Sequence, residues 1–75
     1  MQIHFSRHAK RRTRLYNIAE SMIVELLNDR EFSQGEHEII EKIPGIGYPV
    51  KIVVSVEDDI ITVITSYPLK KGRSE

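Results

Sequence analysis

The sequence contains no cysteine and no long apolar run. Without cysteine the chain can form neither a disulfide framework nor a thiolate metal site, so its stability must come from packing, helped by any oligomerisation. The longest wholly apolar stretch is three residues, far shorter than a membrane span. No apolar stretch follows the basic N-terminus, so we expect no signal peptide. These absences predict a soluble, cytoplasmic protein without membrane contact.

Acidic residues are missing from the first nineteen positions. The basic residues there are Arg7, Lys10, Arg11, Arg12 and Arg14, whereas residues 20–59 contain ten acids and three bases. The formal net charge of the whole chain is nevertheless 0. A local cationic cluster attracts phosphate even on a neutral protein, although neutrality weakens steering over long distances. The alternative interpretation, a set of solvated surface charges, stays open at this point.

The chain of 75 residues is too short to enclose two hydrophobic cores, so we expect a single domain over residues 1–75. Its last six residues, KKGRSE at 70–75, are expected to be a frayed tail.

Two helices are predicted in the first half of the chain. The alternation in QIHF predicts a short first strand, and Ser6 then occupies an N-cap position before a helix over about residues 7–16. Asn17 followed by Glu20 resembles a capping box, which predicts that Asn17 caps a second helix. Residues at helical spacing define the core face of that helix: Ile18, Met22, Ile23, Leu26 and Leu27.

The second half changes to the period of β-strands. Three strands are predicted at HEIIEKI, VKIVVSV and IITVITSY, separated by turns at PGIGYP and EDD. Alternation in the last strand predicts one shared face for Ile61, Val63, Thr65 and Tyr67. The element order predicts a two-layer α+β domain, in which a short N-terminal strand and two helices pack on an antiparallel β-meander. The other side of the sheet is expected to be partly open.

His8 and Arg12 are four residues apart, so a helix places them on one face with Arg11 beside them. An imidazole can move a proton near neutral pH, and a guanidinium can stabilise the charge that develops on a phosphate during its cleavage. Neighbouring cations also favour the neutral imidazole that a general base needs. The pattern indicates phosphodiester chemistry, and a solvated histidine on a surface helix is the alternative.

Thr65 and Tyr67 offer two hydroxyl groups near the end of the last strand. If their face meets the first helix, they converge with His8. If it meets the core, Tyr67 is an amphipathic core residue with its hydroxyl group satisfied at the edge. The sequence leaves both alternatives open.

No metal or cofactor is expected. His4, His8 and His37 lack any recognised ligand spacing. The GIG sequence in PGIGYP is not followed by a helix, so a turn explains it better than a phosphate-binding loop does. The acidic triplet EDD at residues 57–59 is interpreted as a solvated turn.

The segments HAKRR and ITSYP give the chain a resemblance to a family of small bacterial and archaeal domains, domain of unknown function 4258. The family pattern has His-Ala-x-x-Arg and a later isoleucine near the start, and Thr-x-Tyr-Pro near the end. The matching residues are His8, Ala9, Arg12, Ile18, Thr65, Tyr67 and Pro68. Tyr16 stands where the family has a second arginine, so Arg11 or Arg14 would have to replace that arginine.

The predicted element order is also similar to that of the RelE-like toxins, small ribonucleases that cleave RNA without a metal. The resemblance implies a toxin-type, metal-independent ribonuclease with four catalytic residues. His8 would be the base or acid, Arg12 would stabilise the transition-state charge, and Tyr67, supported by Thr65, would transfer the complementary proton or make an orienting hydrogen bond. The residues assigned to RNA binding are Arg11, Arg14, Lys70, Lys71 and Arg73.

The alternative hypothesis is a non-catalytic module that binds RNA or a protein through the basic helix and the sheet edge. The near-neutral net charge favours this alternative, because a protein that acts on RNA is usually more basic. An antitoxin, another protein partner and a homodimer all stay open.

Overall fold

The computed structural model describes residues 2–69 and contains the elements in the predicted order. The four strands are β1 (Gln2–Phe5), β2 (Gly35–Glu41), β3 (Val50–Glu57) and β4 (Ile60–Pro68), and the two helices are α1 (Arg7–Leu15) and α2 (Glu20–Asn28). The predicted α+β class with the order β-α-α-β-β-β is therefore confirmed. The tail predicted at 70–75 lies outside the described residues.

The four strands form one mixed sheet in the order β1-β4-β3-β2. The last three strands form the predicted antiparallel meander, and β1 pairs in parallel with β4. A tight turn joins β3 to β4, and within it Asp58 takes a positive φ of 57°. The partner of β1, in contrast, follows more than fifty residues later in the chain, so this pairing forms only when β4 is present.

Helix α1 has a side-chain cap at its start and a Schellman motif at its end. The Ser6 hydroxyl accepts a hydrogen bond from the Ala9 N–H at 3.0 Å. At the other end Asn17 adopts a positive φ of 62°, and the Ile18 N–H reaches back five residues to a helix carbonyl at 2.8 Å. The prediction that Asn17 caps α2 is therefore wrong, because Asn17 ends α1. The N-cap of α2 is Ala19, whose side chain makes no capping bond.

Both helices pack on the same face of the sheet. Ala9 of α1 is fully buried, and Ile23 and Leu27 of α2 are buried beside it. The sheet contributes its inward-facing side chains: Ile39, Val50, Ile52, Val54, Val56, Ile61 and Val63. The predicted core face of α2 is confirmed, since Met22 and Leu26 also pack against this cluster. The opposite face of the sheet carries no helix among residues 2–69, and we call it the helix-free face.

Strand β4 contains an irregularity in its pairing with β3. Thr65 pairs with Val53, but Val63 pairs with the next residue of β3, Val54. Ile64 is therefore an extra residue, a β-bulge that interrupts the regular alternation of side chains.

The bulge reverses the faces of the residues that follow it. Ser66 is fully buried on the core side, whereas Thr65 and Tyr67 are half-buried on the helix-free face. The predicted face of β4 is thus correct as far as Val63 and wrong beyond it, because one inserted residue shifts a two-residue period by one step.

Ser6 joins the start of α1 to the bulge. Its N–H donates to the Val63 carbonyl at 3.0 Å, and its hydroxyl donates to the Ile64 carbonyl at 2.9 Å. The same hydroxyl caps α1, so one side chain connects the helix layer to the sheet at the point where β4 changes face.

Two serines with opposite hydrogen bonding give a test of this arrangement. The Ser66 hydroxyl is buried without a hydrogen-bond partner among the described residues, so Ser66→Ala should leave the free energy of unfolding unchanged or raise it by about 1 kcal/mol. Ser6→Ala removes two hydrogen bonds and should lower it by roughly 1–2 kcal/mol. Urea denaturation of both variants measures the difference. Equal destabilisation by the two substitutions would contradict this assignment.

Candidate functional site

Three polar side chains are hydrogen-bonded in a line along α1 and its C-cap residue, Tyr16. Arg12 Nε donates to His8 Nε2 at 3.3 Å, and Arg12 Nη1 donates to the Tyr16 hydroxyl, also at 3.3 Å. The three residues follow one another at intervals of four, so the helix places them on one face. We call this group the α1 row.

The contact with Arg12 makes His8 a hydrogen-bond acceptor. A guanidinium is only a donor, so His8 Nε2 accepts the hydrogen bond from Arg12 Nε. His8 is exposed and Arg12 is half-buried. Tyr16 packs against the hydrophobic core, which fixes the inner end of the row. An anionic oxygen that attracts the Arg12 guanidinium would release His8 Nε2 as a proton acceptor.

The surface around the α1 row is strongly cationic. Besides Arg12, the cations of the helix are Arg7, Lys10, Arg11 and Arg14, all of them exposed. None of these five residues forms an ion pair within residues 2–69, where the two ion pairs are Arg30–Glu41 and Lys51–Glu38. The predicted RNA-binding residues Arg11 and Arg14 therefore lie on an exposed cationic surface without a carboxylate partner among residues 2–69. Lys70, Lys71 and Arg73 fall outside the described residues.

Thr65 and Tyr67 lie on a different layer from the α1 row. Tyr67 pairs across the sheet with Lys51, and Thr65 pairs with Val53, on the helix-free face. Neither of the two alternatives for this face holds, since it meets neither α1 nor the core. No hydrogen bond links Thr65 or Tyr67 to the α1 row in the described part of the chain.

Lys51 forms a polar cluster with its neighbours on the helix-free face. Its ammonium lies 3.0 Å from Glu38 Oε1, with the lysine side chain 24% exposed and the glutamate side chain 63% exposed. The hydrogen bond to Glu38 and the charge of that carboxylate raise the pKa of Lys51, and Tyr67 on the adjacent strand adds to the effect. The sequence analysis missed both Lys51 and Glu38, because their contact depends on the strand register.

The other histidines have local structural partners. The His37 ring hydrogen-bonds the Ser33 carbonyl at 2.7 Å and packs against Phe32, and His4 hydrogen-bonds Gln2 at 3.2 Å. Within residues 2–69 there is no cluster of three or more His, Asp or Glu side chains arranged to hold a metal ion. No helix in this range is long and apolar enough to cross a membrane.

Comparison with known proteins gives no match to any protein-family model, curated protein or solved structure. The resemblance carried by the HAKRR and ITSYP segments therefore stays a prediction.

Tyr16 is the one residue of the α1 row that the sequence analysis did not select. Its spacing of four residues from Arg12 predicts that the two side chains are in contact, because residues four apart on a helix are neighbours. In the family pattern Tyr16 is a departure, and the structure gives it a hydrogen bond to Arg12.

The Lys51–Glu38 pair gives a prediction about titration. Glu38→Gln removes the carboxylate that raises the pKa of Lys51, so that pKa should fall towards the ordinary value of 10.5. The shift can be followed by NMR from the lysine ε-carbon as pH increases. Glu41→Gln is the matched control, because it breaks the other ion pair of β2, with Arg30, and should leave the titration of Lys51 unchanged. An unaltered Lys51 titration in Glu38→Gln would show that the pair does not form in solution.

Proposed function

We propose that the protein is a toxin-type, metal-independent ribonuclease whose chemistry is carried by the α1 row. The observation that supports this proposal is the hydrogen-bonded sequence of His8, Arg12 and Tyr16. It combines a proton acceptor, a permanent positive charge and a phenol on one accessible helix face. These are the functions that cleavage of a phosphodiester requires when the nucleophile comes from the RNA itself.

The proposed reaction begins when an RNA phosphate binds the Arg12 guanidinium and draws it away from His8 Nε2. His8 then accepts the proton of the ribose 2′-hydroxyl, whose oxygen attacks the adjacent phosphorus. The bond from phosphorus to the 5′-oxygen breaks, and that oxygen takes a proton from the Tyr16 hydroxyl. The products are a 2′,3′-cyclic phosphate and a 5′-hydroxyl. The proton on His8 returns to the Tyr16 phenolate through solvent, which restores the enzyme.

The remaining cations of α1 would hold the RNA backbone. Arg7 and Arg11 are one helical turn apart, and so are Lys10 and Arg14, a spacing of about 6 Å that is similar to the distance between successive phosphates. Contacts of this kind position the RNA without selecting its sequence. Cleavage specificity would then depend on the accessibility of the phosphate rather than on base identity.

A non-catalytic binding module is the second candidate function, and one observation favours it. Thr65 and Tyr67, which the sequence analysis grouped with His8 and Arg12, lie on the other layer of the domain. Cations such as those of α1 are what electrostatic binding of RNA requires, so a protein that binds RNA without cutting it would also have this surface.

Cleavage of RNA in excess EDTA tests the proposal directly. The parent protein should cleave a fluorescent single-stranded RNA, and His8→Ala should reduce the rate by about 100-fold or more through loss of the general base. His4→Ala is the matched control, because it removes an exposed histidine on β1 and should retain the parent rate. RNA binding without cleavage by the folded parent protein would refute the ribonuclease proposal and leave the binding module.

The two candidate proton donors can be separated by a pair of matched substitutions. Tyr16→Phe and Tyr67→Phe each remove one hydroxyl and keep the ring. We expect Tyr16→Phe to lower the cleavage rate by roughly 10- to 100-fold, since it removes the acid from the α1 row. If Tyr67→Phe lowers the rate and Tyr16→Phe does not, the RNA must contact both layers, and the role given to Tyr67 by the resemblance would replace the role of Tyr16.

Salt dependence gives an independent measure of the binding surface. The logarithm of RNA affinity should fall linearly with the logarithm of salt concentration, and Arg11→Gln should make the slope shallower by about 0.7 for a single strand. Fluorescence anisotropy across a salt series measures both slopes. Lys42→Gln, an exposed lysine outside α1, should leave the slope unchanged. Equal slopes for Arg11→Gln and the parent would remove α1 from the interface.

A further inference from the structure

The bulge in β4 is energetically unfavourable, because it buries a hydroxyl group that a regular strand would leave in solvent. A regular strand would place Thr65 and Tyr67 in the core and the small hydroxyl of Ser66 in solvent. The bulge does the reverse, and it buries the Ser66 hydroxyl without a partner among residues 2–69. As a result, the side chains of Tyr67 and Thr65 lie on the helix-free face. Bulges that redirect side chains in this way are typical of functional surfaces.

The helix-free face has the opposite charge to the surface of α1. Its strands contribute three carboxylates, Glu36, Glu38 and Glu57, and a single ammonium, that of Lys51. The turn after Glu57 adds two more acids. A phosphate backbone would be repelled from this face, whereas a cationic segment would be attracted to it.

Apolar side chains accompany these acids. Ile40 is 57% exposed next to Lys51, and Ile60 is 41% exposed near the other end of the face. Tyr67 lies half-buried in the same row as Ile40, on the other side of Lys51, and Val53 lies half-buried in the next row towards Ile60. A tyrosine ring can contact an apolar side chain or the charge of a lysine or arginine, which is why tyrosine is frequent at protein interfaces.

A shallow pocket adds a place for a single side chain at one border of this face. It is lined by Gln2, Asp58, Asp59 and Ile60. The Gln34 side chain holds this turn, accepting a hydrogen bond from the Asp58 N–H at 2.8 Å and donating one to its carbonyl at 3.1 Å. The pocket thus combines two carboxylates with an apolar wall, which suits the long stem and charged end of a lysine or arginine.

We infer that the helix-free face docks a segment of a partner protein that carries lysine or arginine next to apolar side chains. Tyr67, which the bulge places on this face, is the aromatic contact at one end of the docked segment. Glu38 exchanges its bond with Lys51 for a cation of the partner. This inference does not depend on the ribonuclease proposal, because the surface and its ligand lie on the other layer from the α1 row.

Selection from a library of random twelve-residue peptides displayed on phage tests the inference with the intact protein. We expect the selected peptides to be enriched in lysine or arginine together with apolar residues. The best of them, made synthetically, should bind at least 10-fold more weakly to Glu38→Lys and to Tyr67→Ala. Glu41→Lys reverses a charge on the same strand but away from the helix-free face, and it should bind like the parent. Urea denaturation confirms that each variant is folded, and Glu38→Lys alone decides the outcome if Tyr67→Ala is not.

NMR mapping locates the bound peptide and distinguishes a protein partner from RNA. The peptide should shift the amide signals of Val53 and Tyr67 and leave those of Ala9 and Thr13 on α1 in place. Selection of acidic peptides, absence of any enrichment, or shifts confined to α1 would overturn the inference. A single-stranded RNA oligonucleotide that shifts Val53 and Tyr67 would also overturn it, and would make the helix-free face part of the RNA surface. Loss of RNA cleavage bears on none of these signals, so the two proposals fail separately.

Discussion

The two hydrogen bonds from Ser6 to β4 are the contacts on which both surfaces of the domain depend. Helix α1 has nine residues, too few to be stable by itself in water, so it must be held by the sheet. Ser6 supplies this attachment through the carbonyls of Val63 and Ile64. Those carbonyls border the bulge, so the position of the helix and the orientation of Tyr67 are fixed at one place.

A net charge of 0 conceals two surfaces of opposite sign. Among residues 2–69, the helix layer carries the cations of α1, and the strands of the helix-free face carry three carboxylates against one ammonium. Because the sheet separates them, the two sets of charges do not neutralise each other by pairing. The opposed surfaces explain why the overall charge is a poor guide to the partners of this protein, since each surface attracts a different class of ligand.

Local patterns were sufficient to predict the elements of this fold but not their connections. The helical spacing around Ile23 and the alternation along β3 depend on neighbouring residues, and both were predicted correctly. The bulge at Ile64 and the parallel pairing of β1 depend on contacts between distant parts of the chain. The prediction that Asn17 caps α2 was wrong for a related reason, because asparagine is common both at the start of a helix and just after its end.

The same distinction between local patterns and long-range contacts applies to the candidate site. The α1 row follows from spacing within one helix, so His8 and Arg12 could be selected from the sequence, and Tyr16 was accessible by the same rule. Lys51 and Glu38 meet through the register between two strands, which no local pattern specifies. Yet the locally encoded row depends on the sheet, because a helix of nine residues is too short to be stable alone and α1 begins on carbonyls of β4. The α1 row, which is the part of the site that is easiest to predict from the sequence, thus depends on the long-range contacts of the sheet, which were hardest to predict.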